Sequence, residues 1–365
     1  MKNTTVKNLN ITQIDHDDIT EFFIDTQCKT ADGSVKALTK LFNFLQDTGA
    51  NAANFRIYAT DNLTSDILKF YSDKLNDLTC PVTWISQPDK EMVYPLSFQV
   101  HAVSGIQVEP IIFENKKLGC CFADTHADYA HLHILPENKN ATNFDQTIDI
   151  FNQMQYTLKS IGLDYSNTLR TWLFIDDILS WYKQFNKARD NFYTRYDIFN
   201  KLVPASTGIG VANPSGCALA TELFAARPKN ENVRIEKVTS PLQCEALDYK
   251  SAFSRATKLT SPDHSRLYVS GTASIAQNGD TIFRNDTANQ TEMTLKVIDA
   301  LIKNGGMDWP NTILAVVYFK DSKDFHLFDE CCKWFSIEIP HIKIEADICR
   351  HDLLFEIELM LIKTT

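Results

Sequence analysis

Hydrophobic and polar residues follow one pattern three times along the chain. Apolar residues recur at helical spacing in the stretches 35–49, 144–162 and 289–306. Each stretch closes with Gly, and an apolar run rich in strand-forming residues follows it. The pattern predicts a helix that ends at a Gly C-cap and leads into a β-strand.

Several residues recur at fixed spacings in these copies. Asn stands five positions after the Gly, in the pairs Gly49/Asn54, Gly162/Asn167 and Gly306/Asn311. Further on, Pro opens another apolar run and a polar residue follows eighteen positions later, in the pairs Pro81/Gln99, Pro204/Glu222 and Pro340/Glu358. We predict a repeated unit of strand, helix, strand, helix, strand and strand, with an insertion near 193–201 in the middle copy.

The repeat length indicates domains. One third of 365 residues is about 122, which suits a small domain and exceeds a solenoid repeat. We expect an α/β protein in which three similar domains pack like a fused trimer. The expected boundaries are a degenerate first domain at 1–107, a second at 108–228, a connector with some order of its own at 229–265, and a third at 266–365 that carries the site.

Composition and charge exclude several classes of protein. The formal charge is −10 with 44% hydrophobic residues, which favours a packed core and argues against a general nucleic-acid binder. No apolar run has the length of a membrane span, and the polar N-terminus predicts no secretory signal. None of the nine cysteines forms a Cys-x-x-Cys pair, so we expect reduced thiols in a cytoplasmic protein.

A histidine-rich stretch is the main metal candidate. It contains Asp124, His126, Asp128, His131 and His133, and the last two histidines share one face of a predicted strand. No Cys or Glu stands at a typical zinc spacing beside them. We therefore expect an ordinary strand here, and neither a metal nor another cofactor.

Arginines are unevenly distributed. Arg56 alone lies in the first 169 residues, and the other nine lie in the last 196. Because a guanidinium binds carboxylates through two parallel hydrogen bonds, this bias favours a small dicarboxylate ligand. Tyr182 and Arg189, seven residues apart, share a helix face. The candidate ligand-binding residues are Arg170, Tyr182, Arg189, Tyr249, Arg255, Lys320 and Arg350.

The last predicted strand carries two candidate catalytic carboxylates. Glu356 and Glu358 alternate with apolar residues and so share one face. Their mutual repulsion and burial would raise the pKa of at least one of them, as a general acid requires. Glu358 has counterparts at Gln99 and Glu222, whereas the matching positions for Glu356 are Ser97 and Ala220. We therefore expect Glu356 to be the more specific functional residue.

The segments 266–275, 311–321 and 353–358 resemble the Rid (reactive intermediate deaminase) superfamily, whose members are trimers of small α/β subunits with ligand sites at subunit boundaries. Within it the chain looks most like the chorismatases, which cleave chorismate to pyruvate and a diol or hydroxybenzoate. That likeness rests on the order of the segments 80–86, 99–105, 170–176, 182–189, 248–256, 269–275 and 347–358.

The resemblance implies a pseudo-trimer of three Rid-like, chorismate-mutase-like domains, each a mixed sheet covered by two helices. It implies a monomeric, cofactor-free hydrolase or lyase for a small anionic metabolite, with Glu356 at the position of the family's catalytic Glu. Deaminating Rid proteins have Arg two residues after the strand-opening Pro, where this chain has Thr83, Ser206 and Ile342. The alternatives are a non-catalytic metabolite binder and, less favoured, an imine deaminase.

Overall fold

A computed structural model describes residues 2–6, 9–16 and 19–364. Within this part of the chain, strands and helices form three domains that follow one another in sequence. The first domain contains β1 (Lys2–Val6), β2 (Leu9–His16), β3 (Ile19–Cys28), α1 (Ala31–Thr48), β4 (Asn51–Thr60), α2 (Asp61–Asn76), β5 (Val82–Gln87) and β6 (Leu96–Ser104).

The other two domains repeat this order of elements. The second contains β7 (Glu109–Phe113), β8 (Lys116–Ala123), β9 (Ala127–Ile134), α3 (Asn143–Ser160), β10 (Thr168–Ile175), α4 (Ile178–Arg195), β11 (Ala205–Gly210) and β12 (Leu219–Pro228). The third contains β13 (Arg234–Val238), β14 (Ala256–Thr260), β15 (His264–Ala273), α5 (Thr287–Asn304), β16 (Thr312–Phe319), α6 (Phe325–Phe335), β17 (Ile342–Glu345) and β18 (Phe355–Thr364).

The three six-stranded sheets have one topology. Their strand orders are β1-β2-β3-β6-β4-β5, β7-β8-β9-β12-β10-β11 and β13-β14-β15-β18-β16-β17. In each sheet one pair is parallel, namely β4/β5, β10/β11 and β16/β17. The predicted α/β pseudo-trimer, with a mixed sheet and two helices in every domain, is confirmed. The segment 229–265, which we expected to be a connector, supplies β13 and β14 to the third sheet.

Strand register shows which positions are equivalent. Three equivalent residues in the last strands of the domains have cross-strand partners at one position of the central strand. The pairs are Gln99 with Arg56, Glu222 with Trp172 and Glu358 with Val316, so Gln99, Glu222 and Glu358 are structural counterparts. The Asn column differs in the first copy. Each central strand contains a one-residue bulge, and aligning these bulges matches Asn51, rather than Asn54, with Asn167 and Asn311. The Gly–Asn spacing in the first copy was therefore a wrong match.

The repeated glycines end helices as predicted. Gly49, Gly162 and Gly306 follow α1, α3 and α5 with φ of +61°, +76° and +76°. A residue with a Cβ is strained in this left-handed region, which explains Gly at all three positions. None of the described helices is both long and apolar enough to cross a membrane.

Buried ion pairs join every pair of domains. Arg56 Nε donates to Glu222 Oε1 at 3.1 Å, between the first and second domains. Arg170 Nη2 donates to Glu358 Oε2 at 2.7 Å, between the second and third. Arg266 Nη1 donates to Glu21 Oε2 at 2.8 Å, between the third and first. The three sheets thus surround a polar central region.

Candidate active site

A cleft of about 550 Å³, including its open mouth, lies between the second and third domains. The second domain contributes α4 and β11, and the third contributes β15, β18 and the segments before β14 and β18. Two hydrogen bonds cross this boundary: Gly210 N donates to Asp347 O at 2.7 Å, and Gly271 N donates to the Thr207 side-chain hydroxyl Oγ1 at 2.9 Å. Both domains therefore build the cleft and are hydrogen-bonded to each other beside it.

Six of the predicted site residues line this cleft together. The second domain supplies Tyr182 and Arg189 from α4, as expected from their spacing on one helix face. The third domain supplies the other four, which are Tyr249, Arg255, Arg350 and Glu356. Although Tyr182 and Glu356 are far apart in sequence, the packing of the domains brings them to one cleft.

Glu356 is almost fully buried, with 4% of its surface exposed. Burial and the nearby Glu358 raise the pKa of Glu356 to about 8, against an opposing effect of Arg170. Its carboxyl group lies against Gly271, where a Cβ would stand only 2.0 Å from Glu356 Oε1. The absence of a side chain at Gly271 therefore leaves space for this carboxyl group. Because its pKa is about 8, the carboxyl group is predominantly protonated at neutral pH.

Three arginines give the cleft its positive charge. Arg189 and Arg255 are buried, and Arg350 is half-buried. Arg189 Nη2 donates to Asn186 Oδ1 at 2.7 Å, while its buried Nε has no hydrogen-bond partner in the described part of the chain. Arg255 and Arg350 donate to the carbonyl oxygens of Cys244 and Gly279.

Among the residues that the structure describes, no carboxylate forms a salt bridge with any of these three arginines. Both Arg255 and Arg350 lie over the Tyr249 ring, each at 5.3 Å from its centroid. Burial raises the pKa of Tyr249 to about 12, so its hydroxyl group stays neutral and available for hydrogen bonding. The cleft therefore combines excess positive charge with a neutral acid.

Two predicted site residues, Glu358 and Arg170, lie outside this cleft. They form an ion pair in a second, central cavity, where Glu358 also accepts hydrogen bonds from Trp172 Nε1 at 3.0 Å and Arg56 Nη1 at 3.3 Å. Glu358 is therefore engaged by two guanidinium groups. Arg170 does not line the cleft, but its positive charge lowers the pKa of Glu356 and so opposes the effect of burial.

Lys320 is placed beside the cleft rather than in it. Its ammonium group donates to His351 O at 3.0 Å and lies 3.9 Å from Asp347 Oδ1. The side chain is about one third exposed and does not line the cavity.

Other residues that line the cleft were not among the predicted site residues. These are Ser206, Gly208, Ser251, Phe253, Gly271, Ala273, Ile275, Cys349 and Leu353. Gly208 and Gly271 leave space beside Tyr182 and Glu356. Except for Ser206 and Gly208, these residues lie in the segments 248–256, 269–275 and 347–358 that resemble the chorismatases, and that position was the signal that the sequence offered.

The equivalent boundaries between the other domains are built differently. Strand register places Ser97 and Ala220 where the third domain has Glu356. At the third–first boundary, Gln27 Nε2 donates to Ser97 Oγ at 3.1 Å and to Lys343 O at 2.9 Å. At the first–second boundary, Thr83 Oγ1 lies 2.9 Å from His133 Nδ1.

Deaminating Rid proteins have Arg two residues after the Pro that opens a strand, and none of the three copies has Arg at this position. Strand register shows that Thr207, rather than Ser206, is the structural counterpart of Thr83 and Ile342. The expected position in the second copy was therefore wrong by one residue. The chemistry at this position nevertheless remains that of a hydroxyl or an apolar group, as the sequence indicated.

Comparisons with known proteins agree with this architecture. The family described as Endoribonuclease L-PSP matches residues 244–362. A 3-hydroxybenzoate synthase from Streptomyces hygroscopicus is 30% identical over 53% of this chain and 63% of its own length, so the match spans less than two thirds of that relative. A crystal structure of a chorismatase has a TM-score of 0.66 at 18% identity, covering 85% of this chain and 93% of its own, and shows the shared fold.

A smaller relative settles the family. A RutC family protein from Saccharolobus solfataricus is 30% identical over 25% of this chain and 74% of its own length, as expected if it matches one of three domains. The chain therefore belongs to the Rid superfamily, also described as the RutC or L-PSP family, and within it is chorismatase-like.

Proposed function

We propose that this protein is a chorismatase-like hydrolase that cleaves the enolpyruvyl ether of chorismate or a similar small dicarboxylate and releases pyruvate. The observation that carries this proposal is the cleft in which three arginines without acidic partners surround a protonated Glu356. The likeness to a 3-hydroxybenzoate synthase and to a chorismatase supports the choice of substrate.

The arginines would bind the carboxylates of the substrate. A dianion neutralises most of the positive charge that Arg189, Arg255 and Arg350 bring into the cleft, and guanidinium groups match carboxylates geometrically. In a protein of formal charge −10, such a local concentration of positive charge directs an anionic ligand to one place. The neutral hydroxyl groups of Tyr182 and Tyr249 add hydrogen bonds.

Glu356 would supply the proton for the reaction. It protonates the methylene carbon of the enol ether, which leaves an oxocarbenium-like centre on the adjacent carbon. Water adds to that carbon and gives up a proton, which restores the acid form of Glu356, and the hemiketal collapses to pyruvate and an alcohol. The overall reaction is therefore substrate plus water to pyruvate plus alcohol. The shielded, protonated carboxyl group suits this role because a general acid must hold its proton at working pH.

The test is incubation of the full chain with chorismate, with separate measurement of pyruvate release and of ligand binding. We expect release of one pyruvate for each chorismate consumed. Binding without pyruvate release would replace this proposal with a non-catalytic metabolite binder. Release of ammonia from an imino acid, without turnover of chorismate, would instead favour a deaminase.

We further propose that one chain suffices for activity, because both sides of the cleft come from the same polypeptide. We also propose a cytoplasmic location, since all nine cysteines are free thiols. Size-exclusion chromatography with light scattering, at the concentration used for the assay, tests the monomer.

A further inference from the structure

One hairpin of the third domain is much longer than its counterpart in the second domain. Strands β7 and β8 are joined by Glu114 and Asn115 alone, both with positive φ, as in a tight two-residue turn. The equivalent strands β13 and β14 are joined by the segment 239–255. This segment supplies four of the residues that line the cleft, which are Tyr249, Ser251, Phe253 and Arg255. The long connection therefore forms one wall of the cleft.

Gln243 anchors this segment to the end of β15. Its amide Nε2 donates to Ala273 O and to Ile275 O, each at 2.9 Å, and the residue is buried. Carbonyl oxygens only accept hydrogen bonds, so the amide nitrogen must face them. Ala273 is the cross-strand partner of Glu356. Gln243 thus ties the segment 239–255 to the strand position that pairs with the proposed proton donor.

The residue after Gln243 holds the guanidinium group of Arg255. Arg255 Nε and Nη2 donate to Cys244 O at 2.9 and 2.6 Å. Arg255 Cζ also lies over the rings of Tyr249 and Phe253, at 5.3 and 5.6 Å from their centroids. Because the planar guanidinium group directs two donors to one carbonyl oxygen, the position of Cys244 O sets the orientation of Arg255.

These contacts lead from strand β15 to a cation in the cleft. We propose that Gln243 is a positioning residue for the reaction, which holds Cys244 O in place and so sets where Arg255 lies relative to Glu356. Gln243 does not line the cleft, so its effect on the substrate passes through Arg255. This inference rests on the proposed function, in which Arg255 binds a carboxylate of the substrate.

The Gln243 amide uses only its donor half. Nε2 makes two hydrogen bonds, whereas Oε1 is buried without a partner in the described part of the chain. A carboxylate of the same shape keeps the unpaired oxygen and turns a second acceptor toward the two carbonyl oxygens. Gln243→Glu therefore breaks this anchor with little change in shape.

The test is a double-mutant cycle on pyruvate release from chorismate by the full chain. Gln243→Glu should raise KM about 10-fold and change kcat less than about 2-fold, since a misplaced Arg255 weakens binding of substrate and transition state alike. Arg255→Met should lower kcat/KM about 10- to 100-fold, and adding Gln243→Glu to it should cause no further loss. Losses that multiply in the double variant would show that Gln243 acts independently of Arg255 and would overturn the inference.

Two further variants complete the cycle. Gln243→Met lacks the donor but carries no charge, and it should raise KM in the same way if Gln243→Glu does not fold. Gln107→Glu is the same substitution at an exposed glutamine after β6, and it should leave KM and kcat unchanged.

The positioning of Arg255 is also tested without a ligand. A crystal structure of a folded Gln243 variant should show the guanidinium group of Arg255 displaced from Cys244 O. An unmoved guanidinium group would overturn the inference even if the unchanged chain cleaves chorismate. If the unchanged chain does not cleave chorismate, the proposed function fails, and the position of Arg255 in that crystal structure still decides the role of Gln243.

Discussion

The central region and the cleft both concentrate arginines, but they treat the charge in opposite ways. In the centre, Arg56 and Arg170 face Glu222 and Glu358, so each guanidinium meets an acid. In the cleft, the three arginines contact carbonyl oxygens, an amide and aromatic rings instead. The centre is electrically balanced, whereas the cleft retains positive charge for a ligand.

This contrast separates stability from function. Burying a charge is costly unless an opposite charge and hydrogen bonds compensate for it. The central pairs meet that requirement within the protein and join its domains. The cleft does not meet this requirement with carboxylates of the described residues, and the proposed anionic substrate would supply the missing negative charge.

Glu356 and Glu358 show the contrast on one strand. They lie two residues apart on the same face of β18. In the described part of the chain, Glu358 forms ion pairs with two arginines, whereas Glu356 forms none. Burial therefore raises the pKa of Glu356 to about 8. The same residue type becomes a structural anion at one position and a candidate proton donor at the other.

The largest expected effect is on turnover. Glu356→Gln removes the proton donor while keeping the shape, and we expect the rate of pyruvate release to fall by about 10²–10⁴-fold. Binding of chorismate should persist. The control is Glu231→Gln, an exposed carboxylate, which should leave the rate unchanged. Unaltered turnover in Glu356→Gln would remove Glu356 from the mechanism.

The second prediction concerns stability. Glu358→Gln leaves Arg170 buried without its acidic partner, and loss of one member of a buried pair costs about 3–5 kcal/mol. We expect the free energy of unfolding, measured in urea, to fall by that amount, whereas Glu356→Gln does not lower it. If the two variants lost stability equally, the distinction between the centre and the cleft would fail.

The third prediction concerns substrate binding. Arg189→Met removes a guanidinium that has no acidic partner, so we expect kcat/KM to drop about 10- to 100-fold, the value of a charged hydrogen bond. The stability of the fold should change little. Arg195→Met provides the matched control, because Arg195 is exposed on the same helix. A similar loss in both variants would point to helix stability instead of ligand contact.

The last prediction concerns the dependence of stability on pH. The raised pKa of Glu356 means that the folded protein keeps this proton up to about pH 8, whereas the unfolded chain loses it near the usual value of 4.5. Unfolding therefore releases a proton in that window, and the stability contributed by Glu356 decreases as pH rises through it.

The measurement compares the unchanged chain with Glu356→Gln in urea across pH 5–9. Relative to the variant, the unchanged chain should lose up to about 1.4 kcal/mol per pH unit within the window and level off above it. Turnover should also fall as the pH passes about 8, when the carboxyl group loses its proton. A stability difference independent of pH would show that Glu356 is ionised in both states.

The sequence by itself determined the threefold repeat and the α/β class, because helical periodicity, helix-ending glycines and strand-opening prolines are local properties of a chain. It also identified Glu356 as the position that breaks the repeat, and it grouped six of the residues that line the cleft. It placed the Asn column wrongly in the first copy, because the three-residue 3₁₀ turn that leads into β10 and β16 has no counterpart between Gly49 and β4, which shortens the Gly–Asn spacing there.

Tertiary structure decided which arginines are paired. The acidic partner of Arg170 is Glu358, 188 positions away in sequence, and that of Arg266 is Glu21, 245 positions away. No local sequence pattern could therefore distinguish these paired arginines from Arg189 and Arg255, which form no ion pair among the described residues. The charge and the proton affinity of a side chain depend on the partners that the packed domains provide, and those partners are set by contacts between residues far apart along the chain.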